Sequence, residues 1–581
     1  MMDSSSPVLP QLPIELVQLI VSRTSQSTKL AARLVSRSFY AMVTPEAFRQ
    51  LRLDSKSCDR FRKIALHPDL RRHVRGITCD GKFDFRRIEP STTTVSVTEL
   101  FLETLPYLRH FRGLKILNLD FKRGWDYPIS GQDNGGVRIR YGFRHWVMLV
   151  AFYAVLGVRG LDGKGSSSSF FNTSSGSLCK LAASLGMLET KYWSFLQKER
   201  PPIRLEQLTI TNLARVHEED LAASEQQSEN VQPLLDYSMW PAFQQMMSLP
   251  SLKHLNLMVS PDNIKYGDRH EYIEPLMYEP SSQFDFMARD IEALFTPSLA
   301  RNLTVLSLCY DELWGYYPRF DLRKINPGNG PDSGFPQLKV LSLMRYCFSH
   351  EWQLDWIASL GNCGLEELYL DECVLVTLVW CSVGPAPEEM SYDYLEDSQG
   401  HPIAVSKHGY LPHAWRGGSE QDTWAPYYDS NLRWHQFFDH WRSSMHSLRI
   451  FKMGSADTHT FWSKVKMATH WRTNAPPRTA APAAHFFSLN KNDIHRRFHD
   501  EEFRRGIRMS ELKVPFYVQF FPEPLDGAFH DVRPWVFGPP LSPAPGTVSQ
   551  NEEVGQALQE RDMDALEMLR EEVRQRRLGL N

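Results

Sequence analysis

The pattern Leu-x-x-Leu-x-Leu recurs along this chain, and no other feature constrains its fold as much. Strict copies are "LKILNL" from Leu114, "LKHLNL" from Leu252, "LTVLSL" from Leu303, "LKVLSL" from Leu338 and "LEELYL" from Leu365. Looser copies are "LEQLTI" from Leu205 and "LRIFKM" from Leu448, and "VRGITCD" from Val74 reads as a further strand at the head of the series. From Leu114 onward the starts are separated by 91, 47, 51, 35, 27 and 83 residues.

In each copy the end of the motif lies on a short strand, and alternation sends its leucines to one side. No single copy can bury that apolar side alone, so neighbours must stack. This is the logic of a leucine-rich repeat, although only the 27-residue spacing falls in the usual range for one. The reading is therefore an α/β fold, an irregular leucine-rich-repeat solenoid with insertions. The intervening residues fall on the opposite, concave face. They include Asn118, Asp120, Thr211, Asn256, Tyr369, Asp371 and Lys452.

Apolar content of 42% over 581 residues is enough for extensive cores, and a net charge of −3 gives no strongly basic face for nucleic acid. None of the eight cysteines forms a CxxC pair, which suits a reducing compartment. "MMDSSSPVLPQ" shows no basic and apolar succession of a secretory signal. The most apolar run, Trp146 to Val158, is short for a bilayer span of about 20 residues and reads as a buried helix. A cytoplasmic or nuclear protein is expected. Segments 163–177 (Ser-rich) and 383–428 (aperiodic, rich in Tyr, Trp and acids) read as loops inserted in an array over 51–455. Residues 456–581 read as an extension with Pro-rich segments and an amphipathic terminal helix, Ser549 and Glu552 making its capping box, which covers the open end of the array.

Ahead of the repeats, "LPIELVQLI" places Leu12, Leu16, Leu19 and Ile20 on one helical stripe. The stripe can pack into the protein's own core or be held out for a partner. Ser27 or Thr28 is expected to cap a second helix, and Thr44-Pro45 to open a third. Three short helices in about 40 residues are marginal alone and need something to dock against.

"LPIELVQLI…LAARLVSRSFYAMVTPEAF" resembles the F-box motif, LP-x-E-L-x-x-x-I followed after a gap by L-V-S/C-R-x-F/W. Leu12, Pro13, Glu15, Leu16, Ile20, Leu34, Val35, Ser36, Arg37 and Phe39 match it position by position. The polar "VSRTSQSTK" after Ile20 departs from the family, which usually carries an apolar residue there. The wider chain is similar to filamentous-fungal F-box proteins with irregular repeats, including a "YVQF"-like strand at Tyr517 to Phe520. The resemblance implies a short helical F-box at 1–50 and a substrate receptor of a Skp–cullin–F-box ubiquitin ligase. Leu12, Pro13, Leu16, Ile20, Leu34, Val35 and Phe39 would then face a Skp-type adaptor, and through it a cullin. The alternative is a repeat scaffold with a degenerate F-box.

Catalytic signatures are sparse. His495 and His499 stand at i and i+4, but with Arg496 and Arg497 between them and no HExxH they read as a solvated helix face. His435, Asp439 and His440 fall in an aromatic stretch that reads as a helix packed on the array. No G-x-S-x-G, Walker or G-x-G-x-x-G sequence occurs. The basic run from Asp59 to Gly76 reads as a helix and turn leading to the first strand rather than as a nucleic-acid site. No enzyme, metal, cofactor or membrane role is expected.

Overall fold

The computed structural model describes residues 13–81, 100–121, 144, 147–157, 201–213, 241–259, 291–316, 318–328, 333–371, 373–382, 392–396, 401–408, 410, 424–455, 510–511, 516–524, 530–537 and 548–580. Leu12, the Ser-rich segment 163–177 and the His495–His499 pair lie outside them. Contacts divide the chain into two compact units, residues 1–83, 87–119 and 146–205 in the first and the remainder in the second.

The first unit opens with three helices, α1 (Ile14–Arg23), α2 (Gln26–Ala32) and α3 (Arg37–Ala47). Ser25 caps α2, its hydroxyl accepting from Thr28 N–H, so the cap falls earlier than the expected Ser27 or Thr28. Thr44-Pro45 does not start a helix. Ser36 caps α3, accepting from Phe39 N–H, and the helix runs through Pro45. Near a C-terminal end the missing proline N–H removes one bond without stopping the last turn, and Thr44 Oγ1 donates back to the Tyr40 carbonyl. Strand β1 (Gln50–Leu53), helices α4 (Cys58–Leu66) and α5 (Pro68–Arg71), and strands β2 (Gly76–Gly81) and β3 (Ile116–Phe121) follow. The basic run is thus a helix and turn, as its apolar spacing implied. β1 and β2 pair in parallel, with Leu51 opposite Ile77 and Leu53 opposite Cys79. Residues 147–156 are helical, and all but the half-buried Leu149 are buried.

In the second unit the strands β4 (Gln207–Leu213), β5 (His254–Val259), β6 (Val305–Trp314), β7 (Val340–Phe348), β8 (Glu367–Asp371) and β13 (Ile450–Ser455) lie side by side, all parallel. Helices precede several of them: α6 (Pro241–Met247), α7 (Pro297–Asn302), α8 (Glu351–Asn362) and α9 (Trp434–Ser444). The motif leucines form rows in register. Ile210, Leu257, Leu308, Leu343, Leu370 and Met453 make one, and Leu208, Leu255, Leu306, Leu341, Leu368 and Phe451 the next. All are buried. The first leucine of each motif copy sits in the turn before its strand and is also buried.

The turns share one hydrogen-bond device. The carbonyl of Glu206 accepts the N–H groups of both Lys253 and His254, Lys253 those of Thr304 and Val305, Thr304 those of Lys339 and Val340. Lys339 and Glu366 continue the series, all at 2.8–3.1 Å. Arg49 and Arg75 do the same in the first unit. Both lone pairs of one carbonyl are used, which fixes where the next strand begins.

Beyond the stack, β7 also pairs through Cys347 and Phe348 with β9 (Val374–Ser382), which pairs in parallel with β15 (Phe516–Pro524). Part of the aperiodic segment 383–428 is strand: β10 (Tyr392–Glu396) and β11 (Pro402–Ser406) form a hairpin, and β12 (Trp424–Asp429) pairs with β9. β13 pairs with the two-residue β14 (Ser510–Glu511), and β15 with β16 (His530–Phe537). Around α9, Phe348, Trp434, Phe437, Phe438, Trp441 and Phe451 pack mostly edge to face. The terminal helix α10 (Val548–Leu578) lies on α9 and against β13, burying Leu566, Leu569 and Val573. Its Asp562 is buried, accepting from His435 N–H at 2.9 Å and from the Tyr517 hydroxyl. His435 Nδ1 lies 2.8 Å from the same carboxylate, and the Tyr517 oxygen accepts from Trp434 N–H.

Leu343 occupies the middle of a leucine row with no exposure. Leu343→Ala is expected to cost about 2–5 kcal/mol, read as a lowered urea midpoint in tryptophan fluorescence with the slope unchanged.

Candidate functional site

The three N-terminal helices bury little. Val21, Val43, Ala47 and Phe48 are their internal core. Arg33 supplements it, its guanidinium lying 4.9 Å from the Tyr40 ring and 4.7 Å from the Phe48 ring while its Nε donates to Thr44 Oγ1. Gln26 Nε2 donates to the Ala47 carbonyl and ties α2 to α3. The polar stretch after Ile20 serves the same purpose: Lys29 Nζ donates to the Ser22 carbonyl, and Val21 is the buried residue that follows the isoleucine.

The apolar residues left over point to solvent. Leu16 is 46% exposed, Ile20 53%, Val35 71% and Leu34 87%, with Ile14, Leu19 and Tyr40 close to half exposed. A tiny core beside so much exposed apolar surface is the signature of an unfilled interface. Pro13 stands at the N-cap of α1, its carbonyl accepting from Leu16 and Val17 N–H. Phe39 is half-buried. Of the residues expected to face an adaptor, Pro13, Leu16 and Ile20 are exposed at the start of and along α1, and Leu34 and Val35 in the turn between α2 and α3. Sequence reasoning missed Ile14 and Tyr40. Ile14 occupies the variable position of the motif and lies off the i, i+4 stripe, so periodicity gives it no mark.

Residues 9–50 match the F-box domain family. No curated protein matches the chain. The match supports an F-box protein and points to an adaptor-binding role of the Skp–cullin–F-box type, since F-box domains typically bind Skp-type adaptors.

The residues expected on an open concave face are placed otherwise. Asn118, Asp120, Thr211, Asn256, Tyr369 and Asp371 are buried, and Lys452 is half-buried. Several of them pair across the sheet: Asn118 Nδ2 donates to Thr78 Oγ1 at 3.1 Å, Asn256 Nδ2 to Thr209 Oγ1 at 3.0 Å, and Thr211 Oγ1 to Asp120 at 2.8 Å. The Tyr369 hydroxyl donates to Glu367. Further along the same strands Met258, Cys309 and Met344 form an apolar cluster. The expectation of exposure is therefore corrected. Parallel strands bury both faces, and short polar side chains in register can then pair across the ladder instead of meeting water.

A second region gathers charge around the β10–β11 hairpin. Asp393 takes ion pairs from Arg319 at 3.0 Å, Lys324 at 2.9 Å and Lys407, while buried Asp321 pairs with Arg319 at 3.1 Å and Arg323 at 2.7 Å. Arg323 also lies over the Trp352 ring, 4.1 Å from its centroid. A cleft of about 440 Å³ opens beside it, lined by Arg323, His350, Trp352, His408 and Gln436. Burial lowers the His350 imidazole to about 4, against its bond to the His408 carbonyl, so it is neutral. Burial would raise Asp393, but hydrogen bonds from Lys407 and Lys324 overcome it and hold the carboxyl at about 2. Glu292, 3.3 Å from Lys324, goes the other way: burial pushes its carboxyl up to about 7 despite that lysine.

The two carboxyls shape stability in separate windows. Asp393, depressed in the fold, contributes stability that is lost only as pH falls from 3.8 toward 2. Glu292, raised in the fold, contributes stability that is complete below pH 4.5 and lost as pH rises through 7. Glu292→Gln is expected to flatten the fall in Tm across that upper window, as followed by scanning calorimetry.

Proposed function

We propose that this protein is the substrate-receptor subunit of a Skp–cullin–F-box ubiquitin ligase. The observation that carries the reading is the exposed apolar set on α1 to α3, which has no place in the small core beneath it. Burying a side chain such as Leu16 or Leu34 is worth about 1.5–3 kcal/mol. Several together can anchor an interface of about 800 Å² per partner. The Skp-type adaptor fills that surface and a cullin follows through it. The parallel stack, with leucine rows in register and one carbonyl device per turn, supports an irregular leucine-rich-repeat array.

In this reading the protein has no catalytic residues. It holds a target near a ligase-bound conjugating enzyme and so raises the effective concentration of the target's lysines. Because the ladder's polar residues are buried, target contact falls to side chains at its margins, such as the exposed Tyr392 and Tyr394 on β10. Its place is the cytoplasm or nucleus, where such ligases act.

The test is co-purification with a Skp-type adaptor on size exclusion. Wild-type protein is expected to co-elute, and Leu16→Asp or Leu34→Asp to weaken binding at least tenfold to a hundredfold, with Tm unchanged in Leu34→Asp, since Leu34 is 87% exposed. Absence of adaptor binding by the wild type would favour a scaffold that holds partners without ubiquitin.

A further inference from the structure

The basic run from Asp59 to Gly76 has no task in the receptor reading, yet the fold gives its last arginines a shape. Arg71, Arg72 and Arg75, from the end of α5 and the turn into β2, line a cleft of about 390 Å³ with His110, Arg112 and Gly113 from the turn before β3. The cleft is confined to the first unit. Among the described residues no carboxylate lines it. The one described ion pair of Arg71, Arg72 or Arg75 is Arg72 with Asp69, at 3.8 Å and two-thirds exposed on both sides. Such a pair is weak.

The Arg71 and Arg75 guanidinium groups donate to neutral acceptors. Arg75 Nη1 donates to the carbonyls of Arg72, Val74 and Gly113, at 2.9, 3.2 and 3.3 Å. Arg112 Nη1 donates to the Pro201 carbonyl at 2.6 Å, and Arg71 Nη1 reaches the Ala65 carbonyl at 3.5 Å. A carbonyl positions a guanidinium without cancelling its charge. Gly113 is required for this seat, because a Cβ there would stand 2.0 Å from Arg75 Nη1. The positive field also reaches His73, whose imidazole is lowered by burial and then by Arg72 and Arg75.

We propose that this cleft is a binding site for a phosphate group. A carboxylate is satisfied by one guanidinium fork, whereas a phosphate dianion has three terminal oxygens that take donors from several sides. The cleft is one concentrated pocket rather than a stripe, so it suits a single phosphoryl group and not a nucleic-acid backbone, which needs a charged groove along several nucleotides. The phosphate can come from a phosphorylated side chain or from a small free phosphate compound, and the chemistry at the cleft is the same.

The experiment is isothermal titration of the full chain at matched ionic strength with inorganic phosphate, a short phosphoserine peptide and the same peptide unphosphorylated. Saturable binding of phosphate or phosphopeptide, weakened at least tenfold in Arg72→Gln and in Arg75→Gln, is the expected result. Binding should also raise the His73 pKa in an NMR titration. Arg72 is exposed, so its variant keeps the fold even where loss of Arg75 loosens the turn. A phosphopeptide at least tenfold tighter than phosphate identifies a protein source, and equal affinity identifies a free compound. Absence of saturable binding to either probe, or binding unchanged in Arg72→Gln, overturns the site. Adaptor binding is measured separately on the same preparation, and its outcome does not bear on the cleft.

Discussion

One carbonyl taking two amide hydrogens at the start of each strand is the constraint on which the rest of this protein depends. It sets each new strand against the last without a register choice. Once Lys253 and His254 are bonded to Glu206, Leu255 must fall beside Leu208 and Leu257 beside Ile210. A slip of one residue would turn every leucine to the opposite face. The device tolerates wide variation between copies because it involves only the backbone. Insertions of very different length separate the motifs, yet the strands meet in the same way.

The N-terminal helices follow the opposite strategy. The stack hides its leucines completely, whereas α1 to α3 and their connecting turns leave seven large apolar side chains exposed. Their own stability leans on polar ties such as Gln26 to Ala47 and Arg33 to Thr44, which hold the helices together without consuming the apolar surface. An interaction module has to remain folded while keeping its binding surface uncovered. Polar tethering achieves both.

Much of this was legible from the residues. The motif located β3 to β8 and β13, because period-two leucines between breaks leave few alternatives, and the N-terminal stripe marked the exposed surface. Three things were not legible. The burial of Asn118, Asn256 and Asp371 depends on what lies across the sheet, and alternation alone says only that they oppose the leucines. Thr44-Pro45 carries a start signal that tertiary context overrode, since α3 already had Ser36 as its cap. The hairpin at 392–406 is held by ion pairs from residues about 70 positions earlier, such as Arg319 to Asp393, and a long-range charge pairing leaves no local periodicity to read.

Asp562 gives this architecture an order of assembly. Each strand of the stack can join its predecessor as soon as it is synthesised, because its partner already exists. Helix α9 cannot finish in that way: the backbone and imidazole of His435 wait 127 residues for the carboxylate that receives them, and Tyr517 must arrive in between. Until then two buried polar groups and a wall of aromatic rings stand open at the growing end of the stack. Helix α10 therefore acts as a latch on α9, and the polar groups of His435 and Tyr517 are satisfied only once Asp562 has joined them.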